Sequence, residues 1–161
     1  MKGTSRVLAD WSISSGANPI RAAWTMDARR SLRDIAAEVG VSATTVHDRA
    51  RAMQRRGLIR GAYLDLDLRQ IDRGVQALVA VRIRPPSRAN IESFRDWVGA
   101  LPEAVGVFVT SGRMDFIVHV AVADNDALYA FVIDRLTSRA EIADVETSVI
   151  YEHLRTMTFE P

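Results

Sequence analysis

The tripeptide Gly40-Val41-Ser42, placed between two short amphipathic segments, constrains the fold of this chain more than any other feature. The segment before it predicts a helix over 32–39, because its apolar residues recur at helical spacing. Glycine favours the left-handed backbone that ends a helix, and Ser42 is suited to cap a second helix over 43–56. Two short helices that meet at such a turn predict a helix-turn-helix unit.

The second helix of this pair has an apolar face and a polar face. Val46, Ala50 and Met53 lie at helical spacing and predict the stripe that seats the helix. In a helix-turn-helix unit the N-terminal part of this helix enters the major groove, while arginines hold phosphates. The side chains predicted to face base edges are Thr44, Thr45, His47 and Asp48. Those predicted to hold phosphates are Arg49, Arg51, Arg55 and Arg56, together with the helix start at Ser42.

The distribution of charge favours double-stranded DNA as the partner of the first part of the chain. Residues 1–61 carry 11 Lys and Arg against 5 Asp and Glu, a net charge of +6, whereas residues 62–161 carry 10 against 15, a net charge of −5. A basic segment joined to an acidic one is expected when only the first meets phosphates. The alternative reading, in which the arginines are merely solvated, stays open from composition alone.

The second half of the chain alternates between strand and helix periodicity. The predicted order is strand, helix, strand, strand, helix, strand, over 76–84, 91–101, 104–110, 115–122, 128–136 and 145–155. This order predicts an α+β, ferredoxin-like four-stranded antiparallel sheet with both helices on one face. The other face is left uncovered, and pairing with a second copy in a homodimer is the simplest way to bury it.

From Ile20 to Arg155 the chain resembles the Lrp/AsnC family of feast/famine transcription regulators. The residues that carry the resemblance are Asp27-Ala28-Arg29-Arg30-Ser31, Ile35-Ala36, Gly40-Val41-Ser42, Val46, Arg49 and Gly57-Leu58-Ile59. Ala28 stands where the family usually has glycine. The resemblance implies a winged helix-turn-helix head and a ferredoxin-like regulatory domain of the RAM type. It also implies homodimers, octamers of four dimers, and a small effector that is an amino acid or a related metabolite.

The resemblance extends to a turn in the second half of the chain. Family members carry a glycine-x-x-aspartate turn between the second and third strands, and this chain has Gly112-Arg113-Met114-Asp115 there. A glycine permits a tight turn, and an aspartate can accept a hydrogen bond from an amino group. The residues implied to bind the effector are Gly112, Arg113, Asp115, Thr147, Ser148, Val149 and Ile150. Taken without the resemblance, the turn is an ordinary hairpin turn, where glycine and aspartate are common.

These observations divide the chain into four segments. Asn18-Pro19 is a helix-start signal, and alternation from Tyr63 to Arg69 predicts a strand or wing. The predicted segments are an N-terminal arm at 1–17, the helix-turn-helix domain at 18–61, a linker strand at 62–75, and the effector-binding and dimerisation domain at 76–158.

Composition excludes several classes of protein and leaves two alternative functions open. The chain has no cysteine and no apolar stretch of membrane-spanning length, so we expect a cytoplasmic protein without disulfides or membrane partners. No metal or cofactor is expected, and His119 and His153 are assigned to packing or an interface. The first alternative is a tetrapyrrole-processing enzyme of the same architecture, similar to the sirohaem decarboxylases. The second is an architectural DNA binder that responds to no effector.

Overall fold

The structure is a computed structural model that describes residues 18–154. The chain divides into two compact units, which we call the head, ending at Leu64, and the sheet unit, Asp65–His153. The predicted arm at 1–17 lies outside the described residues, as do the last four residues of the predicted 76–158 domain. Within the described range, none of the helices is long and apolar enough to cross a membrane.

The head contains the three helices that the sequence predicts. They are α1 (Pro19–Met26), α2 (Leu32–Val39) and α3 (Ala43–Arg55). Each helix begins after a capping side chain that accepts a hydrogen bond from a backbone N–H in the first turn, and these caps are Asn18, Ser31 and Ser42. All three helices contribute to one small core, which consists of Ile20, Ala23, Ile35, Ala36, Val46 and Met53.

The strand or wing predicted after the head, and with it the linker strand at 62–75, is wrong. Residues 58–67 form no regular element, and Leu68–Ile71 form a 3₁₀ helix. Leu64 and Leu66, whose alternation suggested a strand, are exposed to solvent. The exposed fraction is 79% for Leu64 and 54% for Leu66. A strand needs a neighbour to receive its backbone hydrogen bonds, and this chain supplies none here among the described residues.

The sheet unit has the predicted ferredoxin-like order of elements. They are β1 (Val75–Ile83), α4 (Arg88–Gly99), β2 (Ala104–Val109), β3 (Phe116–Val122), α5 (Asn125–Ala130), a π-helical turn (Phe131–Leu136) and β4 (Ile142–Val149). In the described part of the chain the four strands form one antiparallel sheet in the order β2-β3-β1-β4. This confirms the predicted α+β class and topology.

The last strand lies earlier in the chain than the predicted 145–155. It begins at Ile142, where a bulge between Arg82 and Ile83 shifts its register against β1. The last backbone hydrogen bond of this pair joins the N–H of Ile150 to the carbonyl of Gln76, at 2.8 Å. Because β1 begins at Val75, only one residue of that strand remains beyond this bond, and the chain from Ile150 to Leu154 forms no strand.

One face of the sheet packs beneath the helices and forms the larger core. Alternate residues of β1 and β3 point to this side, where α4 and α5 with its π-helical turn cover them. The buried side chains are Ala77, Val79, Val81, Ile83, Phe94, Val98, Phe116, Val118, Val120, Val122, Leu128, Phe131 and Leu136. The period-two alternation of the sequence over 115–122 predicts that Phe116, Val118, Val120 and Val122 share one face, and all four point inward from β3.

The opposite face, called here the open face, is covered by no helix of the described chain and carries side chains of mixed character. Strand register places Leu78, Ile117 and Phe108 on it, and Phe108 is 57% exposed. Strand register also places Arg82 opposite Asp144 on this face. Glu146, opposite Ala80, lies on the same face, which therefore combines apolar and charged side chains.

Candidate DNA-binding surface and effector site

The turn between α2 and α3 has the geometry that a helix-turn-helix requires. Gly40 adopts left-handed backbone (φ 72°), and the N–H of Val41 donates to the carbonyl of Ala36 at 3.0 Å. The Ser42 hydroxyl then accepts the N–H of Thr45 at 3.1 Å. Ala36 is buried, so its small side chain allows α3 to pass close to α2. These contacts fix the direction of α3 relative to the rest of the head.

The helix α3 buries its apolar stripe and presents its polar residues. Val46 and Met53 are fully buried, and Ala50 is half-buried. The exposed members of the predicted DNA-binding set are Ser42, Thr44, Asp48, Arg51, Arg55 and Arg56, and the half-buried members are Thr45, His47 and Arg49. The hydroxyls of Thr45 and Ser42 lie 2.8 Å apart, so the Thr45 side chain also serves the helix cap. The structure thus places all nine residues on α3 and its two capping positions, Ser42 and Arg56.

The turn before α2 is held by side-chain contacts rather than by a left-handed residue. The carboxylate of Asp27 accepts the backbone N–H of Arg29 at 2.9 Å, and this bond, with the Arg29 side chain, holds the pKa of Asp27 below its ordinary value. Arg30 forms an ion pair with Glu38 on α2. Among the described residues other than glycine, only Asp72 has positive φ. Alanine at position 28 therefore fits this turn without strain.

The turn between β2 and β3 is tied closely to the end of β1. Gly112 has φ 128°, a backbone conformation that favours glycine, and Thr110 donates both its N–H and its hydroxyl to carbonyls across the turn, those of Asp115 and Met114. One carboxylate oxygen of Asp115 accepts the N–H of Ile83 at 2.7 Å and lies 3.5 Å from the guanidinium of Arg84. That oxygen serves the fold, because it satisfies a backbone group at the bulge.

We expect Asp115→Ala to destabilise the sheet unit, because it leaves the N–H of Ile83 without its acceptor. The expected loss is about 1–3 kcal/mol in the free energy of unfolding, measured by urea denaturation. Asp115→Asn retains an acceptor oxygen and is expected to lose less, and the exposed Asp134→Ala is the control. An Asp115→Ala variant as stable as the unmodified protein would contradict the assignment.

Within one chain the two groups of predicted effector residues lie apart. Thr147 pairs with Val79 and Val149 with Ala77, whereas the turn meets β1 at Val81 and Ile83. Val79 and Ala77 lie two and four residues from Val81 along β1, or about 7 and 13 Å. Neighbouring strand residues also point to opposite faces, so Ser148 lies on the open face, while Thr147 and Val149 point to the other side. Arg113 of the turn forms an ion pair with Glu146, the residue just before the second group, and this contact was not predicted from the sequence.

Two histidines meet on the sheet unit although they are far apart in sequence. The rings of His119 and His153 are 6.0 Å apart in an edge-on arrangement, and Nε2 of His119 lies 3.0 Å from the Gln76 side-chain oxygen. Within residues 18–154 no group of three or more histidine, aspartate or glutamate side chains is arranged to hold a metal ion.

The structure also contains a cavity that the sequence analysis missed. It lies between α4 and the end of β2, has a volume of about 360 Å³, and is lined by Arg88, Ile91, Glu92, Arg95 and Val109. Four of these residues recur at helical spacing, and this spacing could have predicted that they share one side of a helix. The contribution of Val109 depends on the packing of α4 against the sheet, which the sequence alone does not specify.

Comparison with known proteins identifies both units. Residues 22–54 match the AsnC-type helix-turn-helix domain, and residues 76–158 match the Lrp/AsnC ligand binding domain. With the surface of α3, these matches define a transcriptional regulator that has a helix-turn-helix DNA-binding domain and a ligand-binding domain. The chain belongs to the Lrp/AsnC family.

Two regulators show how far the sequence similarity extends. HTH-type transcriptional regulator AldR of Mycolicibacterium smegmatis is 37% identical over 129 residues, which are 80% of this chain and 75% of that protein. Regulatory protein AsnC of Escherichia coli K12 is 26% identical over 140 residues, which are 84% of this chain and 88% of that protein.

Solved structures share the fold. The crystal structure of MtbAldR has a TM-score of 0.73 at 30% identity, covering 88% of this chain and 93% of that one. A Neisseria meningitidis regulator solved in complex with L-Met has a TM-score of 0.80 at 24% identity, covering 89% of this chain and 92% of that one, and shows likeness of fold alone.

Proposed function

We propose that this protein is a sequence-specific transcription regulator whose assembly, and with it its affinity for DNA, responds to an amino acid or a related metabolite. The observation that carries the proposal is α3, a helix that buries Val46 and Met53 on one side and exposes Arg51 and Arg55 on the other. The left-handed turn at Gly40, which joins α2 to α3, supports the proposal further, because a helix-turn-helix unit needs such a turn and a merely solvated helix does not.

The proposed contacts with DNA divide along α3. Its N-terminal residues Thr44, His47 and Asp48 face base edges in the major groove, where threonine can contact thymine and aspartate can accept from cytosine. Arg51 and Arg55, one and two turns further along and both exposed, bind phosphates, as does Arg56. Base contacts would determine the sequence that is bound, and phosphate contacts would supply most of the affinity.

The proposed assembly is a dimer through the open face, with an octamer as a further form. A second copy would cover Leu78, Ile117 and Phe108, which no helix of the described chain covers. Two heads would then engage half-sites about 34–36 Å apart, one turn of DNA. An effector would act by its different affinity for two assemblies, since equal affinity for both would change nothing. The effector residues implied by the resemblance, at 112–115 and 147–150, would meet between subunits.

The proposal is tested by footprinting the protein on the DNA upstream of its own gene at several salt concentrations. We expect a protected site with two half-sites and an affinity that falls steeply with salt, about 10³-fold or more between 50 and 200 mM if six or more phosphates are neutralised. Amino acids, L-Met among them, are the first effectors to add. Protection that no amino acid changes would support the architectural alternative, and absence of salt-sensitive binding would overturn the DNA-binding role.

A further inference from the structure

Asp48 differs from the other carboxylates of the head, because no hydrogen bond within the described chain uses its oxygens. The described residues of the head include four carboxylate side chains. Three of them, Asp27, Asp34 and Glu38, accept hydrogen bonds from residues nearby in the chain. Asp48, on α3, accepts none from any described residue, and 73% of its side chain is exposed.

The imidazole of His47 lies close to the Asp48 carboxylate but does not saturate it. Nδ1 of His47 is 3.7 Å from Oδ1 of Asp48, which is longer than a hydrogen bond. The two groups form an ion pair only when His47 carries a proton, and both are exposed, so water screens their attraction. The Asp48 carboxylate therefore retains acceptor capacity for a molecule outside the chain.

The position of Asp48 on α3 gives it no evident structural role. Negative charge stabilises the first turn of a helix, but α3 begins at Ala43 and has no acidic residue in that turn. Arg51 is three residues away, a spacing that permits an ion pair along a helix, yet none joins these two described residues. Aspartate inside a helix is also less favourable than alanine. A residue that weakens its helix and makes no stabilising contact is expected to serve a partner.

Asp48 places a negative charge on a surface that is otherwise positive. The arginines of α3 and its C-terminal cap are Arg49, Arg51, Arg55 and Arg56. Phosphates repel a carboxylate, and a groove removes water from it, so Asp48 should disfavour any DNA that offers it no donor. In the major groove cytosine offers its N4 amino group. The N6 amino group of adenine lies beside the acceptor N7, and guanine and thymine present acceptors.

We propose that Asp48 is a specificity-determining residue that accepts the N4 amino group of a cytosine in each half-site and lowers the affinity for DNA without that cytosine. It would thus act against random DNA as well as for the operator. The proposal rests on the proposed function, because it takes the N-terminal half of α3 to lie in the major groove. Thr44 is exposed four residues earlier on the same side of α3, so it would contact a neighbouring base.

The first test is selection of bound duplexes from a randomised library by the full chain and by Asp48→Asn and Asp48→Ala. We expect the unmodified protein to select cytosine at one position of each half-site. Asparagine bonds both N6 and N7 of adenine, so Asp48→Asn should change the selected base at that position to adenine and leave the other positions unchanged. Asp48→Ala should select no base there. Circular dichroism shows whether each variant folds.

The affinities for operator and random duplexes test the exclusion of other sequences. Replacing the selected cytosine should weaken binding by the unmodified protein at least about fivefold, and by Asp48→Ala less than about twofold. Asp48→Ala should bind random DNA about threefold more tightly than the unmodified protein, because a charge that phosphates repel is gone. The matched control is Asp134→Ala, which removes an exposed carboxylate of the sheet unit and should change neither quantity.

The outcomes separate this proposal from the proposed function. If the protein selects a sequence that neither Asp48 variant changes, or if the base that responds to position 48 is not cytosine, the role of Asp48 is wrong and the regulator remains. Equal loss of operator and random binding in Asp48→Ala would indicate a structural role and would have the same consequence. If the unmodified protein selects no sequence or binds no DNA, the proposed function falls, and this proposal falls with it.

Discussion

Replacing Arg51 and Arg55 together by alanine is expected to lower the affinity for duplex DNA by at least about 100-fold. Both side chains are exposed on α3, and a hydrogen bond to a charged group contributes about 1.5–3 kcal/mol. Because they are expected to contact phosphates, the loss should be similar for specific and random DNA. In a dimer four such contacts would disappear, so the slope of log affinity against log salt should fall by about 3.6. Fluorescence anisotropy over a salt series measures both quantities.

The matched control for this double variant is Arg69→Ala, which removes an exposed arginine outside the head. Its DNA affinity should change little. Thermal unfolding of the double variant should match that of the unmodified protein, since neither arginine is buried. A double variant that binds DNA with unchanged affinity and unchanged salt slope would remove α3 from the interface.

Phe94→Ala is expected to cost about 3–5 kcal/mol in the free energy of unfolding of the sheet unit. Phe94 is fully buried, and its ring lies 4.7 Å from that of Phe116 and 5.7 Å from that of Trp97. Its removal opens a cavity between α4 and β3 and deletes two aromatic contacts. Since small domains have total stabilities of about 5–15 kcal/mol, the variant should unfold at a much lower urea concentration.

Tyr129→Ala is the control for the aromatic deletion, because Tyr129 is 68% exposed on α5. Its effect should stay within about 0.5 kcal/mol. Equal destabilisation by the two variants would show that the loss at position 94 does not come from core packing.

The helices of the head could be predicted closely because their limits are set by neighbouring residues. Asn18, Ser31 and Ser42 each bond an N–H three residues ahead, and Gly40 ends α2 by its own backbone. Helix limits of this kind depend on residues close together in the chain, so the sequence alone is sufficient to predict them. The two faces of β1 and β3 could also be predicted, because successive side chains of a strand point to opposite faces and the apolar residues alternate.

Features that depend on distant residues could not be predicted. The alternation of Leu64 and Leu66 indicated which side chains share a face, but it did not show whether a neighbouring strand is available for pairing. The segment is not a strand. Asp115 bonds the N–H of Ile83, 32 residues away, so a residue assigned to an effector also serves the fold. The bulge at Arg82 and Ile83 shifts the register of β4 against β1. The cavity beside Val109 depends on the packing of α4 against β2.

The irregular segment after α3 has a practical consequence for handling the protein. Leu58, Tyr63, Leu64 and Leu66 all expose apolar surface within nine residues. Clustered apolar surface of this kind promotes adhesion between molecules when nothing shields it. Wherever this segment stays uncovered, it should therefore lower the solubility of the protein and make the protein adhere to surfaces.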